Sequence, residues 1–167
     1  MLMKRHIAAA ALMALTGVGS VDLADANTTG NFQVSVTIQA ACTLTTNPLS
    51  FGTVTAGTSN VVQNNVNLSV TCPTGQAYNV GLLTTNTGAA NGTGNMKLGA
   101  TTIGYQLFSN AGFTTPWGNT QGTNTVAGVG NGAAQALPVY GQIPAGNILA
   151  ADAAGLYTDI VTVTVFY

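Results

Sequence analysis

Very few side chains of this chain can do chemistry. Asp, Glu, Lys and Arg together make up 4% of the residues, against roughly a quarter in an ordinary soluble domain. The charged groups are Lys4, Arg5, Asp22, Asp25, Lys97, Asp152 and Asp159, and the single histidine is His6. Lys4, Arg5 and His6 open an apolar run, Ile7–Val18, that leads to a small-residue site at Ala24-Asp-Ala26. This is the pattern of a secretory signal, and the run is too short for the ~20 apolar residues of a membrane span. Cleavage after Ala26 is expected in preference to cleavage after Ser20, and residues 3–18 of the precursor are expected to be helical. Beyond Ala26 only Lys97, Asp152 and Asp159 carry charge, and no His, Glu or Arg remains. A Ser-His-Asp or Cys-His site then lacks its base. A zinc site cannot be built from two Cys and two distant Asp. Paired-carboxylate chemistry would fall to Asp152 and Asp159 alone, on opposite sides of the turn signal at Gly155. Both read as turn and strand-end residues. No catalytic, metal or cofactor site is expected, and the chain is not expected to be an enzyme.

The remaining reactive groups are Cys42 and Cys72, the only cysteines. In an exported chain one disulfide is the natural outcome; the alternative is two free buried thiols. C-x-x-C spacing and a neighbouring charge, the marks of a redox pair, are both missing. The net charge of -1 excludes an electrostatic grip on nucleic acid, and 46% hydrophobic content argues against disorder. Gly128-Val-Gly-Asn-Gly132 has a glycine spacing like a phosphate-cradling loop but neither a following helix pattern nor a Lys. No small-molecule substrate is indicated.

The elements that must position these residues read as strands. Phe32, Val34, Val36 and Ile38 alternate with polar residues, as do Val66, Leu68, Val70 and Cys72. Tyr78, Val80 and Leu82 repeat the pattern, and so do Ile103, Tyr105 and Leu107. Leu49–Val54 is a short strand after Pro48. Gln135–Tyr140 is limited to an edge or a strand start by Pro138. Residues 157–167 form the last run, with Val161, Val163, Val165 and Tyr167 on one face. The stretches Asn86–Asn95, Ala111–Thr115, Gly118–Gly132 and Ala145–Gly155 have loop compositions. Short strands with frequent turns and no helical period after residue 26 predict an all-β antiparallel sandwich.

The last strand is long, regular and uncharged, and nothing after it covers its far edge. Such an edge is a template for another chain, and it is expected to be filled in trans. Trp117 and Tyr140 could form a sugar platform, although core packing or loop anchoring fits both residues better.

Several stretches together resemble the spore coat protein U domain, which is shared with subunits of archaic, Csu-type chaperone–usher pili. They are Phe32–Ala41 ahead of Cys42, Leu49-Ser-Phe-Gly52, Val70-Thr-Cys-Pro73, Val139–Gly146 and Gly155–Val165. The resemblance implies an immunoglobulin-like, pilin-type sandwich that lacks its last strand. It divides the chain into a signal peptide (1–26), an N-terminal donor segment (27–41) and the sandwich (42–167). A periplasmic chaperone would lend a strand to the groove, and an outer-membrane usher would exchange it for the N-terminal segment of another pilus subunit. Phe32, Val34, Val36 and Ile38 would be the donor knobs. Tyr157, Val161, Val163, Val165 and Tyr167 would form the strand that receives them. Residues 32–38 also fit the first strand of their own sandwich. The implied function is a structural subunit of an extracellular pilus serving attachment and biofilm formation, exported through the periplasm. The alternatives are a spore or cyst coat protein and a secreted carbohydrate-binding module.

Overall fold

The computed structural model describes residues 28–167, and the expected signal helix and the cleavage site at Ala24 and Ala26 lie outside them. The chain divides into two units, residues 1–37 and 38–167. Residues 28–37 form no strand or helix. Eight strands follow: β1 (Thr43–Thr45), β2 (Val62–Thr71), β3 (Ala77–Thr84), β4 (Thr93–Leu98), β5 (Thr101–Phe108), β6 (Val126–Val129), β7 (Gln135–Ile143) and β8 (Val161–Phe166). They form a five-stranded sheet of order β1-β2-β7-β5-β4 and a three-stranded sheet of order β6-β3-β8. Every ladder is antiparallel, as predicted from the period-two patterning.

The alternating apolar residues do what their spacing requires. Leu68, Val70 and Cys72 on β2 and its end, Val80 and Leu82 on β3, and Tyr105 and Leu107 on β5 are buried in one core between the sheets. Their polar neighbours point outward, because successive side chains of a strand face opposite ways. Trp117 is buried at the centre of this core and its Nε1–H donates to the Val80 carbonyl at 2.8 Å. It therefore anchors the core and cannot serve in a sugar platform.

Several boundaries differ from expectation, each for a tertiary reason. Pro138 lies inside β7, which is an interior strand between β2 and β5. The β7 ladder to β5 covers only Tyr140–Gln142, so at Pro138 the β5-facing side has no partner. Its register partner Asn67 turns its carbonyl the other way and accepts from Asn47 Nδ2 at 3.1 Å. The missing N–H of proline thus costs no ladder bond there. The loop expected at Gly118–Gly132 contains β6, whose Gly128 lies under the Tyr78 ring instead of cradling a phosphate. The loop expected at Asn86–Asn95 runs into β4. β1 is three residues long and had no signal of its own; it is held by the register Thr43↔Thr71 and by the disulfide one residue beyond. The terminal run pairs only over Val161–Phe166, because Lys97 bridges Thr158 before the ladder to β3 begins. Residues 32–38 and 49–54 read as strands in the sequence but belong to no ladder. A strand is defined by its partner, and among the described residues neither segment has one.

Candidate functional site

The site is a groove of about 1040 Å³. Its floor is the inner face of the sandwich, with Leu68, Leu82, Ile103, Leu107 and Val139 in it. One wall is β8, through Val161 and Val163, together with Tyr157 ahead of it. The other is the unpaired segment Thr46–Val54. β8 pairs with β3 on one side, and its other side has no ladder partner among the described residues. The groove thus combines an apolar trough with a row of free backbone donors and acceptors, which is the chemistry of a missing strand.

The segment forming the second wall is seated by close approach. Leu49 and Phe51, two residues apart, both turn inward over Gly141 of β7. A Cβ at Gly141 would stand 2.5 Å from Leu49 Cδ2 and 2.9 Å from Phe51 Cζ, so glycine lets both side chains come this close without shifting. Asn64, the register partner of Gly141, donates from Nδ2 to the Ser50 carbonyl and fixes the segment to β2. Leu49, Phe51 and Val54, expected in a short strand, belong to no ladder and are instead half-buried against the core. Their role as a groove wall depends on β7 passing beneath, which no local signal reveals.

Asp159 pins the root of β8. Its Oδ1 accepts from the backbone N–H of Asn86 at 3.0 Å and of Ile160 at 2.8 Å, and its Oδ2 accepts from the Tyr105 hydroxyl at 2.9 Å. Burial, reinforced by this hydrogen bond and by the nearby carboxylate charge, holds the Tyr105 hydroxyl protonated well above the ordinary tyrosine range. Asp152 makes a turn contact, accepting from the Leu149 N–H at 2.7 Å. The two carboxylates therefore occupy strand-end and turn positions, as their sequence context predicted. Among the described residues no three His, Cys, Asp or Glu side chains gather into a metal-binding group.

Of the residues expected to receive a strand, Tyr157, Val161 and Val163 line the groove, and Val165 packs against the core beyond it. The Tyr157 hydroxyl donates to the Ala153 carbonyl at 3.0 Å. Tyr167 follows the end of β8, is 59% exposed and takes no part in the groove lining. Cys42 and Cys72 form a disulfide, with Cα atoms 4.3 Å apart. The expected knobs Phe32, Val34, Val36 and Ile38 are between 82% and 87% exposed. Four large apolar side chains on alternate residues are thus presented to solvent, a state that stabilises nothing in an isolated chain.

An antiparallel sandwich with one strand position open defines the class of this protein. Within that class, the family model of the Spore Coat Protein U domain matches residues 28–164, and the chain belongs to that family. The fold is also similar to a chain in the crystal structure of the CsuC–CsuE chaperone–tip adhesion subunit pre-assembly complex from archaic chaperone-usher Csu pili of Acinetobacter baumannii. The TM-score is 0.52 at 24% identity, over 78% of this chain and 40% of that one. This chain therefore spans less than half the length of the one it matches. No curated protein matches the sequence.

Proposed function

We propose that this protein is a structural subunit of an extracellular chaperone–usher pilus, and that its groove is filled in trans by an extended strand. The observation that carries this is the open apolar groove beside the unpaired edge of β8. Family membership and the fold shared with a chain of a chaperone–subunit complex support it. In this scheme the signal peptide is removed after Ala26 and a periplasmic chaperone first occupies the groove. An outer-membrane usher then exchanges the chaperone strand for residues 32–38 of the next subunit. The exposure of Phe32, Val34, Val36 and Ile38 favours their acting as donor knobs over their forming a first strand of the same sandwich. Burying four such side chains contributes roughly 6–12 kcal/mol before ordering costs. Strand exchange needs no nucleotide. The product is a surface fibre for attachment and biofilm formation.

The test is deletion of residues 27–39 from the precursor's mature region. The shortened subunit should accept a donor strand and yet give none, so it should terminate fibres. Fibres that continue on both sides of it would refute the scheme. The family's name favours a second setting, a spore or cyst coat, in which the same groove would serve. Degradation or aggregation of the subunit in cells lacking a periplasmic chaperone distinguishes the pilus from a coat that assembles unaided.

A further inference from the structure

The outer face of the five-stranded sheet, away from the groove, carries an arrangement that strand exchange does not use. Gln142 of β7 lies opposite Gln63 of β2 on one side and Gln106 of β5 on the other. Register partners share a face, and the buried Val139 and Ile143 fix the inward direction, so these three amides form one outward row across three strands. At ~4.8 Å per strand the row spans ~10 Å. The only buried side-chain polar atom without a partner among the described residues is Asn119 Oδ1, so the three glutamine amides, which bond no described residue, are open to solvent.

The next row is Asn65, Tyr140 and Phe108. Phe113 packs edge-on against both aromatic rings, 5.6 Å from Phe108 and 6.0 Å from Tyr140 between centroids. Among the described residues it is the only non-glycine residue with positive φ, at 52°. Asn110 enforces this by accepting from the Thr114 and Thr115 N–H groups at 3.1 and 2.9 Å. A phenylalanine in the left-handed region carries strain, and strain retained in a native fold points to use. None of Val62–Thr71, Thr101–Phe108 or Gln135–Ile143 contains a charged residue.

We propose that this face, centred on Gln142 and Tyr140, binds a neutral polysaccharide chain. An amide offers both a donor and an acceptor, as does each sugar hydroxyl. Aromatic rings supply an apolar surface for the C–H face of a sugar ring. A row of three amides matches an oligosaccharide segment and not a single sugar. These three strands offer an anionic glycan no ion pair; Lys97 of β4 faces the same side through its register with Thr102, four residues along β5 from Gln106. This inference is independent of what fills the groove.

The test is isothermal titration of the purified full chain with cellohexaose, laminarihexaose and, as the anionic probe, an oligogalacturonate. Saturable binding to a neutral probe is expected. Gln142→Ala and Gln106→Ala should each weaken it about tenfold, the loss of one or two hydrogen bonds, with unchanged melting temperature. Three results would overturn the proposal: no saturable binding of either neutral probe, equal binding of the anionic one, or binding insensitive to Gln142→Ala. Concentration-dependent self-association abolished by Gln142→Ala would also overturn it and assign the face to a second copy.

Discussion

Edges β4 and β8 border the same sandwich and are finished in opposite ways. β4 contains Gly94 and an exposed Lys97, and its outer side is bridged by Thr158 through a pair of backbone hydrogen bonds of 2.8 and 3.1 Å. Charge, glycine and a covering strand end are all devices that stop a sheet from growing. β8 reads Val-Thr-Val-Thr-Val-Phe and has none of them. The remaining edges are also closed to growth, β1 by its length of three residues and the adjoining disulfide, β6 by its length of four. One edge out of four is therefore left able to add a strand, and it is the one that borders the apolar groove. The difference teaches that the opening is selective: among the described strands, the edge left unprotected is the one beside the apolar groove.

This contrast can be broken from either side. The largest expected effect is at the closed end, where Cys72→Ser removes the staple beside β1. Cross-linking residues 30 apart in sequence limits the unfolded chain, and its loss should cost roughly 3–4 kcal/mol, read as a lower denaturant midpoint. Next comes a transplant of the β4 device onto β8. Val163→Lys puts a cation into the groove wall and should weaken binding of a peptide of residues 28–39 about a hundredfold, because an unpaired buried charge costs several kcal/mol. The free subunit should remain folded, since the groove is open to water without its strand. Wild-type affinity in this variant would mean that β8 is not the receiving edge. The smallest effect concerns the root of β8. The Tyr105 hydroxyl loses its proton at higher pH in the folded chain than in the unfolded one. The folded state therefore keeps its full stability below about pH 10 and loses it as pH rises further. Tyr105→Phe should flatten that alkaline decline while lowering stability at neutral pH through the lost bond to Asp159, measurable as melting temperature against pH.

Much of the sandwich was legible because burial on one face forces period two. The cores of β2, β3, β5 and β7 were visible as Leu68–Val70–Cys72, Tyr78–Val80–Leu82, Ile103–Tyr105–Leu107 and Gln135–Tyr140. β6 was not, because Val126-Ala-Gly-Val129 is short, its Ala127 is exposed and its Gly128 is covered by a tyrosine from β3, not by a side chain of its own. β4 was masked by Thr93-Gly-Asn95, whose composition is that of a turn. Pro138 misdirected the placement of β7, since only the length of the β5 ladder shows that its nitrogen faces no partner. The half of the groove belonging to β8 was legible as an uncharged, regular strand. The Leu49–Val54 half was legible as apolar and not as a wall. Asp159 illustrates the limit most clearly: its partners Asn86 and Tyr105 lie far away in sequence, so nothing near it marks it as the pin of the last strand.

The disulfide also decides where tension travels. A pull on residues 28–41 arrives at Cys42, and the covalent link passes it directly to Cys72 at the end of β2. The intervening stretch, with β1, the groove wall at Leu49 and Phe51, and nearly all of β2, is short-circuited and carries no load. The groove wall at Leu49 and Phe51 thus lies off the covalent path along which residues 28–41 are pulled.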